Sequence, residues 1–155
     1  MTQRRYEIPG DESFVLDHLL LDVNGTLTNS GKLITGVSER LRRLAKDLEV
    51  HLLSADTFGT LDAIAEQLRI EGRRAETGAD KRALVEELGP KRCAAIGNGR
   101  NDAEMLTEVR LGICVLGPEG TYRAAIDAAE VVCGSIRSAL DMLLNPSVLA
   151  ATLRP

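Results

Sequence analysis

The chain has 155 residues, 44% of them hydrophobic and 27% charged, which suits a compact domain with a buried core and excludes the composition of a disordered segment. A formal charge of −4, no concentrated Lys/Arg block, two Phe, two Tyr and no Trp exclude a cationic groove that tracks a nucleic-acid backbone and stacks its bases. Cys93, Cys114 and Cys133 lie far apart in apolar runs and read as core residues of a reducing compartment. Met1 to Gly10 carries no apolar leader core, and no stretch reaches membrane-spanning length, so a cytoplasmic location is expected.

In chain order, Tyr6 and Ile8 alternate before Pro9-Gly10 and suggest an added edge strand. The apolar run Val15–Val23 has the length of a buried strand, and Asn29-Ser30-Gly31 between two short runs predicts a β-hairpin flap over about residues 27–36. Val37, Leu41, Leu44, Ala45 and Leu48 share one helical face, followed by a strand at Val50–Ser54 and a helix carrying Leu61, Ile64, Ala65 and Leu68. Leu84, Val85 and Leu88 mark a helix stopped by Gly89-Pro90, then strands are predicted at Cys93–Gly97, Leu111–Leu116 and Val131–Cys133. Ile136, Leu140, Leu143 and Leu144 form a last helical face, and the tail from Asn145 carries the apolar Val148-Leu149-Ala150, suited to packing on the domain or to an oligomer contact. Strands alternating with helices predict a three-layer α/β/α, Rossmann-like single domain over residues 1–155 with a mainly parallel sheet.

In such sheets ligands bind beyond the carboxyl ends of the strands, so polar residues there carry the functional signal. The first strand ends in Leu20-Leu21-Asp22-Val23-Asn24-Gly25-Thr26-Leu27-Thr28, a carboxylate followed by a glycine turn, which suits a nucleophile or a turn-capping Asp. Ser54 ends the second strand, where its hydroxyl and the amide of Ala55 can hold phosphate oxygens or cap a helix. Lys81 opens a helix and is either a balance for phosphate charge or a solvated surface residue. Gly97-Asn98-Gly99-Arg100-Asn101-Asp102 again gathers polar groups at a strand end, either as a capped turn or as a source of hard oxygen ligands.

Asp22 in an Asp-x-x-Gly-Thr-Leu-Thr motif, Ser54, Lys81 and Gly97-Asn98-Gly99-Arg100-Asn101-Asp102, in this order, resemble the haloacid dehalogenase superfamily. The first motif is similar to the phosphorylation motif Asp-Lys-Thr-Gly-Thr-Leu-Thr of P-type ATPases, the last to their Gly-Asp-Gly-x-Asn-Asp, and the resemblance spans about Leu16 to Cys133. It implies a Mg2+-dependent phosphohydrolase in which Asp22 forms an aspartyl-phosphate. Asp22, the Asn24 carbonyl, Asn98 and Asp102 would then hold the ion, and Ser54, Ala55, Gly25 and Lys81 the phosphoryl group. With an unperturbed pKa of about 3.9, Asp22 is expected to be ionised at neutral pH without help from a base.

Two positions depart from the family pattern. Asn24 stands where a general-acid Asp is usual, so turnover is expected to be slow and to favour acyl or aryl phosphates. Asn98 replaces a metal-binding Asp, which weakens the site and leaves Asp102 to carry more of the charge. The segments Asp22 to Ser54 and Ser54 to Lys81 leave no room for a cap domain, so the open site suits a phosphorylated small molecule enclosed by a neighbouring copy in a dimer or tetramer, or a macromolecular substrate. A rival reading is a regulatory or phosphate-binding protein with vestigial catalysis. A dinucleotide-binding domain is disfavoured because Gly97-x-Gly99 lacks the third glycine and follows the fourth strand. His18 and His51 are read as partly buried structural histidines without a role.

Overall fold

The computed structural model describes residues 3–56 and 59–155; Met1 and Thr2 of the polar N-terminal stretch lie outside the described residues. Strand β1 (Arg4–Tyr6) pairs antiparallel with β2 (Phe14–Leu16), so the Tyr6 strand closes its own hairpin and does not extend the main sheet. Then follow β3 (His18–Asp22), the flap strands β4 (Thr28–Asn29) and β5 (Lys32–Leu33), α1 (Val37–Leu44), β6 (Glu49–Ser54), α2 (Leu61–Leu68), β7 (Gly72–Arg74) and α3 (Gly78–Leu88). The second half holds β8 (Cys93–Gly97), α4 (Ala103–Glu108), β9 (Leu111–Val115), α5 (Arg123–Ala128), β10 (Val131–Cys133), α6 (Ile136–Leu144) and α7 (Pro146–Leu153).

The central sheet runs β10-β9-β8-β3-β6-β7, and every pairing in it is parallel. Successive residues of β3 serve opposite faces, as the two-residue period of a strand requires. Leu19 and Leu21 join the core that includes Leu41 and Leu44 of α1, Ile64 of α2 and Leu140 of α6. Leu20 joins the other, with Leu84 and Val85 of α3, Met105 of α4 and Ala125 of α5. Helices therefore cover both faces, the expected three-layer α/β/α arrangement, and among the described residues no cap domain interrupts it.

The expected run Val15–Val23 divides at Asp17, whose carboxylate pairs with Arg92 (2.9 Å) while its backbone N–H and carbonyl bond Arg92 and Glu49. Strand β7 and helices α4, α5 and α7 were not predicted. Leu149 of α7 is buried on the domain, whereas Val148 is exposed. The flap turns on Ser30 and Gly31, both with positive φ, as a two-residue type I′ hairpin turn demands. All three cysteines are free and buried, and among the described residues no helix is long and apolar enough to cross a membrane.

Candidate active site

Three adjacent strands end side by side: β6 at Ser54, β3 at Asp22 and β8 at Gly97. Their turns form a pocket of about 240 Å³ lined by Asp22, Asn24, Gly25, Ser54, Ala55, Asn98, Gly99, Asn101 and Glu119. Gly25 has φ +78°, and a Cβ there would stand 2.9 Å from Asn98 Nδ2. A Cβ on Gly97 would collide with the Asp102 carboxyl. Both glycines let the two loops close around the polar cluster.

Lys81, allowed from the sequence to be a surface residue, is 0% exposed. A capping box starts α3: Thr77 Oγ1 accepts from the Asp80 N–H and Asp80 from the Thr77 N–H, fixing the first turn from which Lys81 projects. Its Nζ donates to Asp22 Oδ1 at 2.8 Å, Asp102 Oδ1 at 2.7 Å and Asn101 Oδ1 at 3.3 Å, which accounts for all three ammonium protons. Burial pushes the Lys81 ammonium down, but the charges of Asp22 and Asp102 outweigh it and leave the pKa raised.

Asp102 is also fully buried. Its Oδ2 accepts from the N–H groups of Asn98 and Gly99, at 3.0 and 2.9 Å. It thus holds Lys81 and the β8 loop from behind the residues that line the pocket. Asp22 faces the pocket with 6% exposure. Burial and the nearby Asp102 charge, opposed by Lys81 and Thr26, push its pKa up to about 7. Burial and the Asp102 charge thus favour the protonated carboxyl far more than in an exposed Asp, so the nucleophile's ionisation depends on the positive charge brought to the cluster.

Thr26, fully buried and not singled out in the sequence, stands between the two loops. Its Oγ1 is 2.9 Å from Asp22 Oδ2 and 3.0 Å from Asn98 Oδ1, and its one proton serves only one of them at a time. Asn98 Nδ2 donates to the Gly120 carbonyl, which leaves Oδ1 to face Thr26. Ser54 Oγ is committed locally, donating to Asn24 Oδ1 at 2.9 Å and accepting from the Asp56 N–H at 2.8 Å. Asn24 Nδ2 donates to Thr60 Oγ1 at 3.4 Å. Glu119, also missed in the sequence, lines the pocket and accepts from the Ser30 N–H of the flap at 3.1 Å. Thr26 lies within the Asp-x-x-Gly-Thr-Leu-Thr motif, which could have drawn attention to it, whereas Glu119 belongs to no recognisable motif and is identified by its spatial neighbours.

Replacing Lys81 would leave two buried carboxylates facing each other. Lys81→Met is expected to destabilise the fold by about 3–5 kcal/mol, the usual penalty for stranding a buried charge. A denaturant titration at pH 8 would show it as a lowered midpoint with an unchanged slope. An unchanged midpoint would mean that the cluster does not depend on this ion pair.

No family model matches the chain. An uncharacterised protein of Methanocaldococcus jannaschii is 42% identical in an 88-residue alignment covering 95% of that protein and 52% of this chain, and the two belong to one family. The copper-exporting P-type ATPase of Staphylococcus aureus is 30% identical in a 148-residue alignment covering 86% of this chain, which spans only 17% of the ATPase. Among solved structures, a putative HAD family hydrolase from Streptomyces avermitilis aligns with TM-score 0.69 and 24% identity, covering 86% of this chain and 87% of its own. The 3-deoxy-D-manno-octulosonate 8-phosphate phosphatase of Moraxella catarrhalis, solved in complex with magnesium, phosphate and its sugar, aligns with TM-score 0.69 and 20% identity over 90% of this chain and 94% of its own.

Proposed function

We propose that this chain, whose fold is that of the haloacid dehalogenase superfamily, is a slow Mg2+-dependent phosphohydrolase that works through an aspartyl-phosphate on Asp22, with residues 1–155 acting as one hydrolase domain. The observation that carries this reading is the carboxylate of Asp22, held from both sides at the wall of a strand-end pocket by Lys81 and Thr26. In the first step an oxygen of Asp22 attacks phosphorus and the bond to the leaving oxygen breaks. In the second, water attacks the same phosphorus, the phosphorus–Asp22 bond breaks, and orthophosphate leaves with the Asp22 carboxylate restored.

The donor set fits magnesium, which takes hard oxygen ligands. Because Thr26 has one proton for two acceptors, either Asp22 Oδ2 or Asn98 Oδ1 is left without it. A cation beside these oxygens would also relieve the burial that raises the Asp22 pKa. Asp22, Asn98 and the Asn24 carbonyl would hold the ion, with Asp102 acting on it through the Asn98 loop and Lys81. When bound, the ion would neutralise phosphoryl charge. The magnesium and phosphate in the Moraxella catarrhalis phosphatase complex support this assignment by analogy of fold.

The chain's own residues divide the remaining work. Lys81 keeps Asp22 in one orientation, and its charge lowers the cost of bringing a phosphate dianion beside two carboxylates. The backbone amides at Gly25 and Ala55, with the Ser54 hydroxyl once it is released from Asn24, would receive phosphoryl oxygens. Asn24 cannot protonate a leaving group, so substrates whose leaving groups need no proton, acyl or aryl phosphates, are favoured. The pocket is smaller than the 300–1,000 Å³ common for drug-sized ligands, so it suits the phosphoryl group and leaves the rest of a small phosphorylated molecule at the open rim. A neighbouring copy in a dimer or tetramer would cover that rim, and a cytoplasmic location suits the buried free thiols.

The test is release of orthophosphate from acetyl phosphate and p-nitrophenyl phosphate with magnesium or with a chelator. It is paired with acid quenching to trap a hydroxylamine-labile phosphoenzyme. Magnesium-dependent release together with the trapped adduct is the expected result. Phosphate binding without release or adduct would overturn it in favour of a regulatory phosphate-binding protein, the reading that Asn24 and Asn98 favour.

A further inference from the structure

At the opposite end of the sheet from Asp22, three side chains that the proposed reaction does not use converge. His18 opens β3 and pairs in register with Glu49, which opens β6, while His51 lies two residues beyond Glu49. Register partners on parallel strands and residues two apart share one face, so all three must point the same way. His18 Nδ1 stands 3.1 Å from His51 Nε2, and the Glu49 carboxylate lies 3.6 Å from the first and 3.9 Å from the second. Both imidazoles are nearly enclosed, with side chains 12% and 10% exposed, while Glu49 is half-exposed and leaves the cluster open on one side.

We infer that His18, Glu49 and His51 form a zinc site. Tetrahedral zinc with Zn–N and Zn–O bonds of about 2.0–2.1 Å has ligand–ligand edges of about 3.3–3.4 Å; the 3.1 Å between the ring nitrogens and the 3.6 and 3.9 Å approaches of the two Glu49 oxygens, one to each ring, lie on either side of that length. A single proton shared by the two rings would leave both carboxylate oxygens beyond hydrogen-bond reach, whereas one cation at the centre engages all three groups. Two imidazole nitrogens favour zinc over magnesium, which prefers oxygen donors. Two His and one Glu leave a fourth position for water or another ligand. Since His18 precedes Asp22 by four residues along β3, the ion would sit about 13 Å from the phosphoryl pocket and tie the starts of β3 and β6 together.

The experiment titrates zinc into the full chain by calorimetry with magnesium in excess. It compares the native chain with His51→Gln, Glu49→Gln and Asp22→Asn. The native chain should take up one equivalent, His51→Gln should bind more than roughly 100-fold more weakly, beyond the loss typical of an outer-shell partner, and Asp22→Asn should bind as the native chain does. Glu49→Gln, at a half-exposed position, should weaken binding while melting normally without zinc, which keeps the test decisive if His51→Gln folds poorly. No uptake by the native chain, native-like affinity in both His51→Gln and Glu49→Gln, or loss of uptake in Asp22→Asn would each overturn the assignment. Because the readout is zinc binding, its failure and failure of the phosphohydrolase reading are separable.

Discussion

Asp22→Asn is expected to reduce phosphate release to the uncatalysed background and to abolish the hydroxylamine-labile adduct, since an amide oxygen cannot form the acyl-phosphate bond. The same substitution should not unfold the protein. An amide at position 22 fills the same volume: its Oδ1 can still accept from Lys81, and its Nδ2 can donate to Thr26 Oγ1, whose own proton then serves Asn98 Oδ1, while the cluster loses one of two buried carboxylates that share a single ammonium. Loss of activity with a retained or raised melting temperature is therefore the expected pair of results. Residual magnesium-dependent turnover above background would remove Asp22 from the role of nucleophile.

The pH dependence gives this prediction a sign. The Asp22 pKa is raised to about 7 in the fold, against about 3.9 in an unfolded chain. Between those values the native state holds a proton that the unfolded state has lost, so this group's contribution to stability falls as pH rises from about 4 to about 7. Asp22→Asn removes that slope, and its advantage over the native chain should be fully developed above pH 7. The same displaced pKa predicts that magnesium binding at pH 7 releases roughly half a proton from the native chain and none from Asp22→Asn. Calorimetry in two buffers of different ionisation enthalpy measures the difference. Equal proton release from both would show that Asp22 is not the group that titrates.

The sequence made the strand ends legible because their signals are local. Apolar runs at Cys93–Gly97 and Val131–Cys133 match β8 and β10 to the residue, and the carboxylate at position 22 is read from the run that precedes it. Strand β7 escaped because Gly72-Arg73-Arg74 has no apolar residue; it is an edge strand whose two arginines are exposed. Helices α4 and α5 have six residues each, too few turns for a helical period to stand out. The burial of Lys81 was hidden for a different reason. A lysine's sequence signal is that of a surface residue, and only the arrival of Asp22 and Asp102 from two other elements makes burial tolerable. Thr26 is likewise defined by Asn98, 72 residues away. The attachment of Ser54 to Asn24, and not to open pocket, is equally non-local.

That attachment bears on the largest gain in activity expected from a single change, Asn24→Asp. The amide at position 24 already sits in a frame that a carboxyl can enter: Ser54 Oγ donates to its Oδ1, and Thr60 Oγ1, which now accepts from Nδ2, can rotate to donate. A carboxyl there would face the pocket beside Asp22, and a like charge at that range raises its pKa, which favours the protonated form a general acid needs near neutral pH. Restored acid–base help is worth about 10²- to 10⁴-fold in rate. The gain should depend on the leaving group: largest for alkyl phosphates, whose alkoxide must be protonated as it departs, and small for acetyl phosphate, whose carboxylate leaves without a proton. Measuring kcat/KM for both substrates in the native chain and in Asn24→Asp separates this mechanism from a general tightening of the pocket, which would raise both alike. If neither rises, the amide at position 24 is not what limits turnover, and the slow step lies in magnesium binding at the weakened Asn98 position, where Asn98→Asp should then restore the rate.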